Sequence, residues 1–375
     1  MDRRDAIAWM LSACAVVLRQ SQAKTLICLV DAALRCQRIS LAALGRQMDS
    51  ATSVKHRIKR VWRFIVNRRI EPTLAMVGVV QCLLRRHPRH KPLLVSLDWT
   101  DIRGCQTLVA AANVKGRAIP LAWASCRKHI YDGHRSRNAF EESLLLMLRR
   151  MIPEQVTVIL LADRGFGRTE LGRFCQRMKF HYIIRIQGKV EVTFNGQRVR
   201  LDRYPIRRGR SELLRNVLYR SHDPLKQHVV VRWKRGLPNR RDEPWYLMTN
   251  LPASDRSDGW TARRLSHLYG RRMSIEMLFR DGKNKRQGWS LRDTGLDRPE
   301  RLDRLILVLA LAYLILLGVG LIAQRRHRPG AWSSNNHAHA ASLFQIGQWM
   351  LPTIGLRGPI PAIQRQFASE VPKWG

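Results

Sequence analysis

Acidic residues are what this chain lacks most. Its 375 residues include only 28 Asp and Glu against 67 Lys and Arg, a formal net charge of +39. A compact fold with that excess repels itself unless a polyanion is its usual partner. The cations are scattered along the whole chain instead of forming one juxtamembrane block, which argues against a membrane surface and for nucleic acid. Cysteine is scarce too. The seven residues (Cys14, Cys28, Cys36, Cys82, Cys105, Cys126, Cys175) are odd in number and have no CxxC spacing. That excludes a disulfide framework and a cysteine zinc site, and it predicts buried thiols in a reducing compartment. Internal repeats are absent. The opening stretch from Met1 to Asp5 starts a helical pattern without a small-residue cleavage site, so no secretory signal is expected. Apolar residues are not in short supply: 45% of the chain is hydrophobic, ample for a core.

One apolar run stands out. Residues 305–323, LILVLALAYLILLGVGLIA, carry no charge and are flanked by Arg304 and Arg325. The length is near that of a membrane span. A helix buried on all sides of a large domain gives the same pattern, and Arg on both flanks favours the buried helix.

The chain changes character along its length. Residues 1–90 read as helices only, with helical apolar spacing through Ala6 to Leu18 and Leu26 to Leu34. A short helix ending near Met48, a break where Ser50 or Thr52 can cap, and a basic helix to about Val66 form a helix-turn-helix pattern. The second helix presents Lys55, Arg57, Lys59, Arg60 and Arg63 beside a stripe of Val54, Ile58, Val61, Trp62 and Ile65. These five cations are candidate DNA contacts. Residues 91–187 read as β-β-β-α-β-α-β, with strands at 93–100, 105–114, 118–126, 156–163 and 180–186. Short strands separated by polar turns fill 188–252, a β-rich insertion. In 253–325 a linker leads into one long helix from Trp260 to about Asp281, then the apolar run. The tail, 326–375, reads as loop with one short amphipathic piece. The fold class is therefore α/β, a mixed sheet of ribonuclease H-like type with an insertion and an all-helical N-terminal region.

In so basic a chain, a carboxylate placed where it costs energy calls for explanation. Asp98 ends the apolar run LLVSL and Asp163 ends VTVILLA. An ionised Asp at a buried strand end needs a partner, and a divalent cation is one. Turn capping is the alternative at both positions, although Thr169 is the better cap beside Asp163, and Gly165 and Gly167 leave that carboxylate open. The sharper signal is Tyr269, Arg272, Glu276 and Lys283, spaced Y-x2-R-x3-E-x6-K. At 100° per residue these four fall within one 60° sector of an ideal helix. Met273, Leu278 and Phe279 would then pack inward, and Gly282 is a candidate helix end.

With those residues in place, the chain resembles the transposases of the insertion sequence 4 family, bacterial cut-and-paste enzymes marked by a YREK signature. The resemblance covers about residues 40–325. It implies a DDE triad of Asp98, Asp163 and Glu276, both catalytic and metal-ligating, with two Mg²⁺ ions for which Mn²⁺ can substitute. It also implies that Arg272, Lys283 and Tyr269 contact DNA phosphates. Trp245, at the end of the insertion, matches the position of the aromatic that stacks on a flipped base during hairpin formation. Its partners would be double-stranded DNA, both element ends and target, and a second copy of the chain in a homodimer. No small-molecule substrate and no membrane are expected, and the location would be the bacterial cytoplasm, at the nucleoid. Two other functions fit the same residues: a ribonuclease H-like nuclease without strand transfer, and an inactive DNA-binding remnant or repressor.

Overall fold

A computed structural model describes residues 4, 7–8, 11–12, 18–127, 136–220, 222–234, 243–254, 259–334, 337, 341–356 and 358–371. The first expected helix and Cys14 lie largely or wholly outside them. Helices α1 (Gln20–Arg35), α2 (Leu41–Gln47), α3 (Val54–Val66) and α4 (Pro72–Leu84) form the N-terminal region. Ser40 caps α2 by accepting from the Ala43 amide at 3.0 Å. A Cβ on Gly45 would lie 2.6 Å from Ile58 Cγ1 and 2.8 Å from its Cα, so glycine is what lets α2 and α3 cross closely. The cap of α3 differs from expectation. Ser53 precedes the helix and pairs with His56 Nδ1 at 3.1 Å, while the hydroxyls of Ser50 and Thr52 bond each other.

Strands β1 (Leu93–Ile102), β2 (Cys105–Val114) and β3 (Arg117–Arg127) form two hairpins. Both turns are two residues long, Arg103-Gly104 and Lys115-Gly116, with positive φ throughout, the conformation that matches strand twist. There follow α5 (Arg137–Met151), β4 (Val158–Ala162), α6 (Thr169–Arg177) and β5 (Phe180–Ile186). β4 lies parallel to β1 and β5 parallel to β4. The order β3-β2-β1-β4-β5 with covering helices is the ribonuclease H-like arrangement. The insertion contributes β6 (Glu191–Phe194), β7 (Gln197–Arg200), β8 (Ser211–Tyr219), β9 (Leu225–Arg232) and β10 (Trp245–Thr249). Since β10 pairs antiparallel with β5, these strands extend the same sheet to ten.

The expected single helix from Trp260 is two: α7 (Ala262–Gly270) and α8 (Met273–Lys283). Between them Arg271 and Arg272 keep helical dihedrals but hydrogen-bond three residues back, to Leu268 and Tyr269, a tight turn that re-aims the second half. The helix passes Gly282 without ending there. Met273 is exposed, because the re-aimed helix buries Ser274 and Ile275 instead.

The apolar run lies within α9 (Pro299–Arg326). It is long and apolar enough to cross a membrane, yet 94% of its most apolar window is buried by the rest of the fold. Around it pack α1, α3, β3, α10 (Leu343–Ile354) and α11 (Pro359–Ser369). α10 contains the short amphipathic piece expected in the tail, while α11 lies where loop was expected. Ser342 and Gln345 form a capping box at α10, and both helices bury apolar faces on α9. Buried Arg304 donates to the carbonyls of Ile65 and Ile70, each at 3.1 Å, tying α9 to the end of α3.

Asp303 in α9 accepts from Ser125 Oγ at 2.6 Å, and burial pushes its carboxyl up to about 7. The folded protein thus holds this proton more firmly than the unfolded chain does. Its contribution to stability is present at low pH and is lost as pH rises from about 4 to 7. Asp303→Asn keeps an acceptor for Ser125 and cannot ionise. It should stabilise the protein by about 2–4 kcal/mol at pH 8 and by clearly less at pH 5. Thermal melts at the two pH values check this; an equal gain at both, or a loss at pH 8, would refute it.

Candidate active site

Pleat parity assembles the site. Alternate residues of one strand share a face, so Leu94, Ser96 and Asp98 of β1 share one, as do Ile159 and Leu161 of β4 with Asp163 just beyond. Ile183 and Arg185 of β5 and Trp245 and Leu247 of β10 fall on it too. The apolar members pack with Leu265, Leu268 and Tyr269 of α7 in one cluster. The register pairs Leu97 with Ala162, so Asp98 and Asp163 emerge side by side from neighbouring parallel strands.

Asp98 is half-buried and accepts from the Trp99 amide at 2.8 Å and from Arg272 Nη1 at 3.1 Å. Burial raises its carboxyl to about 6. Arg272 and the Trp99 amide pull downward, while Asp163 and Glu276 push it up. Asp163 accepts from the Gly165 amide at 2.9 Å at the start of a one-turn 3₁₀ helix. It therefore does cap a turn, whereas Thr169 is the first residue of α6 and not its cap. A Cβ on Gly165 would come within 3.1 Å of the Asp163 carboxylate.

The tight turn between α7 and α8 places Arg272 as a fork between two acids. Nη1 reaches Asp98, and Nη2 donates to Glu276 Oε1 at 2.5 Å. Tyr269, one turn earlier, is buried and meets Trp245 edge-on at 5.2 Å between ring centroids. Lys234 Nζ lies 3.8 Å from the Trp245 ring centroid. At the other end of α8, Lys283 Nζ approaches the Asp101 carbonyl at 3.4 Å. Burial and nearby Arg292 lower its ammonium below the usual lysine range, against the pull of Asp101 and Asp98. Seven residues singled out in the sequence therefore meet on one face.

The five basic residues of α3 are not among them. Lys55, Lys59 and Arg63 are exposed. Arg57 donates to the Met48 carbonyl at 2.6 Å and Arg60 to Thr25 Oγ1 at 3.1 Å, so the fold itself uses these two.

Two buried carboxylates support the site, and neither was singled out in the sequence. Glu141, on the opposite face of the sheet, accepts from Trp99 Nε1 at 2.8 Å and from Arg168 Nη1 at 2.5 Å. It links the residue after Asp98 to the loop after Asp163. Its signal was an acid on the apolar stripe of α5, one turn before Leu144 and Leu145. Glu370, just past α11, accepts from Arg271, while Asn113 Nδ2 holds the Arg271 carbonyl at 2.6 Å. Nothing local in the sequence marks that contact.

Among the described residues no three His, Cys, Asp or Glu side chains gather tightly enough to surround one ion. The donor set nevertheless suits hard divalent cations, being oxygen only and split by Arg272 into pairs that share Asp98. Burial keeps the Asp98 carboxyl raised even with Arg272 against it, and a bound cation would favour its ionised form.

The fold is that of the ribonuclease H-like DDE transposases. Residues 89–315, more than half of the chain, match the family described as Transposase DDE domain, and the chain belongs to it. No curated protein matches the chain. The matched region contains β1, β4, β5, the extension of the sheet, α7, α8 and more than half of α9.

Proposed function

We propose that the chain is a cut-and-paste transposase of the insertion sequence 4 type, cutting and joining the ends of its own element as a homodimer. The observation that carries this reading is the Arg272 fork between Asp98 and Glu276, beside Asp163. A signature arginine that bridges two acids, with Tyr269 before it and Lys283 beyond, belongs to a site built for phosphodiesters. Asp98 with Asp163, and Asp98 with Glu276, would hold two Mg²⁺ ions, or Mn²⁺ in their place. When bound, such ions activate an attacking oxygen and stabilise a leaving one.

The remaining work falls to side chains. Arg272 exchanges its carboxylates for a phosphate of the cleaved strand, a bidentate acceptor of the same geometry. Lys283, at the far end of α8, neutralises a second phosphate along the same helix. Tyr269 and Trp245 form an aromatic corner for a base turned out of the stack. A labelled element end incubated with protein, Mg²⁺ and a supercoiled plasmid tests the reading. Nicked, hairpin and double-cut products followed by plasmid insertion are expected. Cutting that never yields insertion would leave only a nuclease, and end binding without cutting would leave a repressor.

The exposed face of α3 supplies sequence-independent grip on the ends. Lys55, Lys59 and Arg63 changed together to Ala should make the dependence of log K on log salt shallower by roughly one unit per lost contact. Arg57→Ala and Arg60→Ala should lower the melting temperature as well, because each holds part of the N-terminal fold. An unchanged salt slope in the triple variant would move end recognition elsewhere.

A further inference from the structure

A second basic surface lies away from α3. Two adjoining cavities of about 690 and 540 Å³ share Lys115 and Gln324. Together they are lined by Lys115 of the β2–β3 turn, Arg117 of β3, Arg280 of α8, Arg325 and Arg326 of α9, and Arg365 of α11. Two carboxylates lie beside them: Asp281 accepts from Arg117 Nε and from the Tyr313 hydroxyl, both at 2.7 Å, and buried Glu370 accepts from the Lys115 amide at 2.6 Å and from Arg271. Lys115, Arg280, Arg325, Arg326 and Arg365 are exposed, and Lys115 Nζ donates to Gln324 at 2.7 Å. Among the described residues the side-chain charge of these five cations is therefore largely uncompensated, and concave walls concentrate its field. One turn and four elements contribute cations, a spread that suits a chain of phosphates better than a single anion.

Position separates this surface from the helix-turn-helix. α3 meets α9 near its start, where Arg301 covers the Trp62 ring. The cleft lies at the other end, around Arg325. At 1.5 Å per residue those points on α9 are roughly 35 Å apart, about one turn of duplex. Arg280 also follows Glu276 by one helical turn, so α8 contributes to both the cleft and the candidate active site.

We propose that this cleft holds the phosphate backbone of a further stretch of duplex DNA, beyond what α3 grips. The inference rests on the transposase reading. The duplex could come from the element's own end or from the target, and both present the same phosphates. The test uses the full chain with Lys115, Arg325, Arg326 and Arg365 all changed to Ala, and a charge-matched control with Lys189, Arg198, Arg203 and Lys226 changed to Ala. Salt titrations are run twice, once with a labelled end duplex and once for capture of an unrelated duplex by a preformed end complex. The cleft variant should lose about three to four units of salt slope in one of the two. Loss with the end duplex assigns the cleft to the element's end; loss confined to the second duplex assigns it to target. No loss in either, or an equal loss in the control, overturns the proposal. A wild-type protein that cuts ends while the cleft variant behaves normally would sink this inference alone. A wild-type protein that binds duplex through the cleft but never cuts would sink the transposase reading instead.

Discussion

Asp98→Asn, Asp163→Asn or Glu276→Gln should each reduce strand cleavage by more than about a thousandfold, with end binding nearly unchanged. A preorganised charge opposite the reacting phosphate is worth at least what one oxyanion donor contributes, about 10²–10³ in rate, and here each acid would also hold an ion. These variants should fold. Glu276→Gln keeps an oxygen to accept from Arg272. Asp98→Asn removes a carboxylate that burial and two neighbouring acids already disfavour, so its melting temperature should hold or rise. A second readout needs no turnover: Mg²⁺ or Mn²⁺ should raise the melting temperature of the wild type and not that of the variants. Glu276→Gln that still cuts in Mg²⁺ would remove Glu276 from the triad, and an undiminished metal-induced stabilisation in all three variants would place the ions elsewhere.

The parts of the site legible in sequence were those set by local periodicity. Alternation in β1 and β4 ends each apolar run on an acid, and the parallel register then brings Asp98 beside Asp163. Helical spacing brought Tyr269, Arg272 and Glu276 toward one side even though the helix is broken, because its tight turn keeps nearly helical dihedrals. What spacing could not reveal was the direction of that turn, so Met273 was expected inside and is exposed. The supports that depend on chain-distant packing were also hidden. Glu370 reaches Arg271 across 99 residues, and no period or motif links them.

The tail and the long apolar run were ambiguous for one reason. Residues 305–323 have no polar face, so composition alone fits lipid or protein surroundings equally. Only the helices around α9 distinguish the two, and two of those helices belong to the tail. Only the piece that became α10 showed an amphipathic pattern in the sequence, and its Gly347 gave no sign of a packing role. Gly347 instead permits contact, since a Cβ there would sit 2.0 Å from the Leu316 carbonyl of α9.

Trp245→Ala should slow conversion of nicked ends to hairpins ten- to hundredfold while sparing the first nick. A hairpin requires the free 3′-hydroxyl to turn back on the opposite strand while one nucleotide is held outside the stack. Stacking of a base on an aromatic contributes about 1–3 kcal/mol, which corresponds to that range of rates. Trp245 is half-buried at the start of β10, with Tyr269 against its edge and the Lys234 ammonium near its ring. A flexible lysine side chain is a movable neighbour, and a base can take its place over the indole while the ammonium meets the adjacent phosphate. Trp245→Ala also takes a packing partner from Tyr269, so Trp245→Phe is the needed control, since it keeps an aromatic face and most of the contact. A time course on a labelled end resolves nicked, hairpin and double-cut species. Accumulation of the nicked species in the Ala variant, restored largely by Phe, is the expected result. Equal loss of nick and hairpin in the Ala variant would make Trp245 a packing residue for Tyr269, and normal hairpin yield without the indole would place base capture elsewhere on this face.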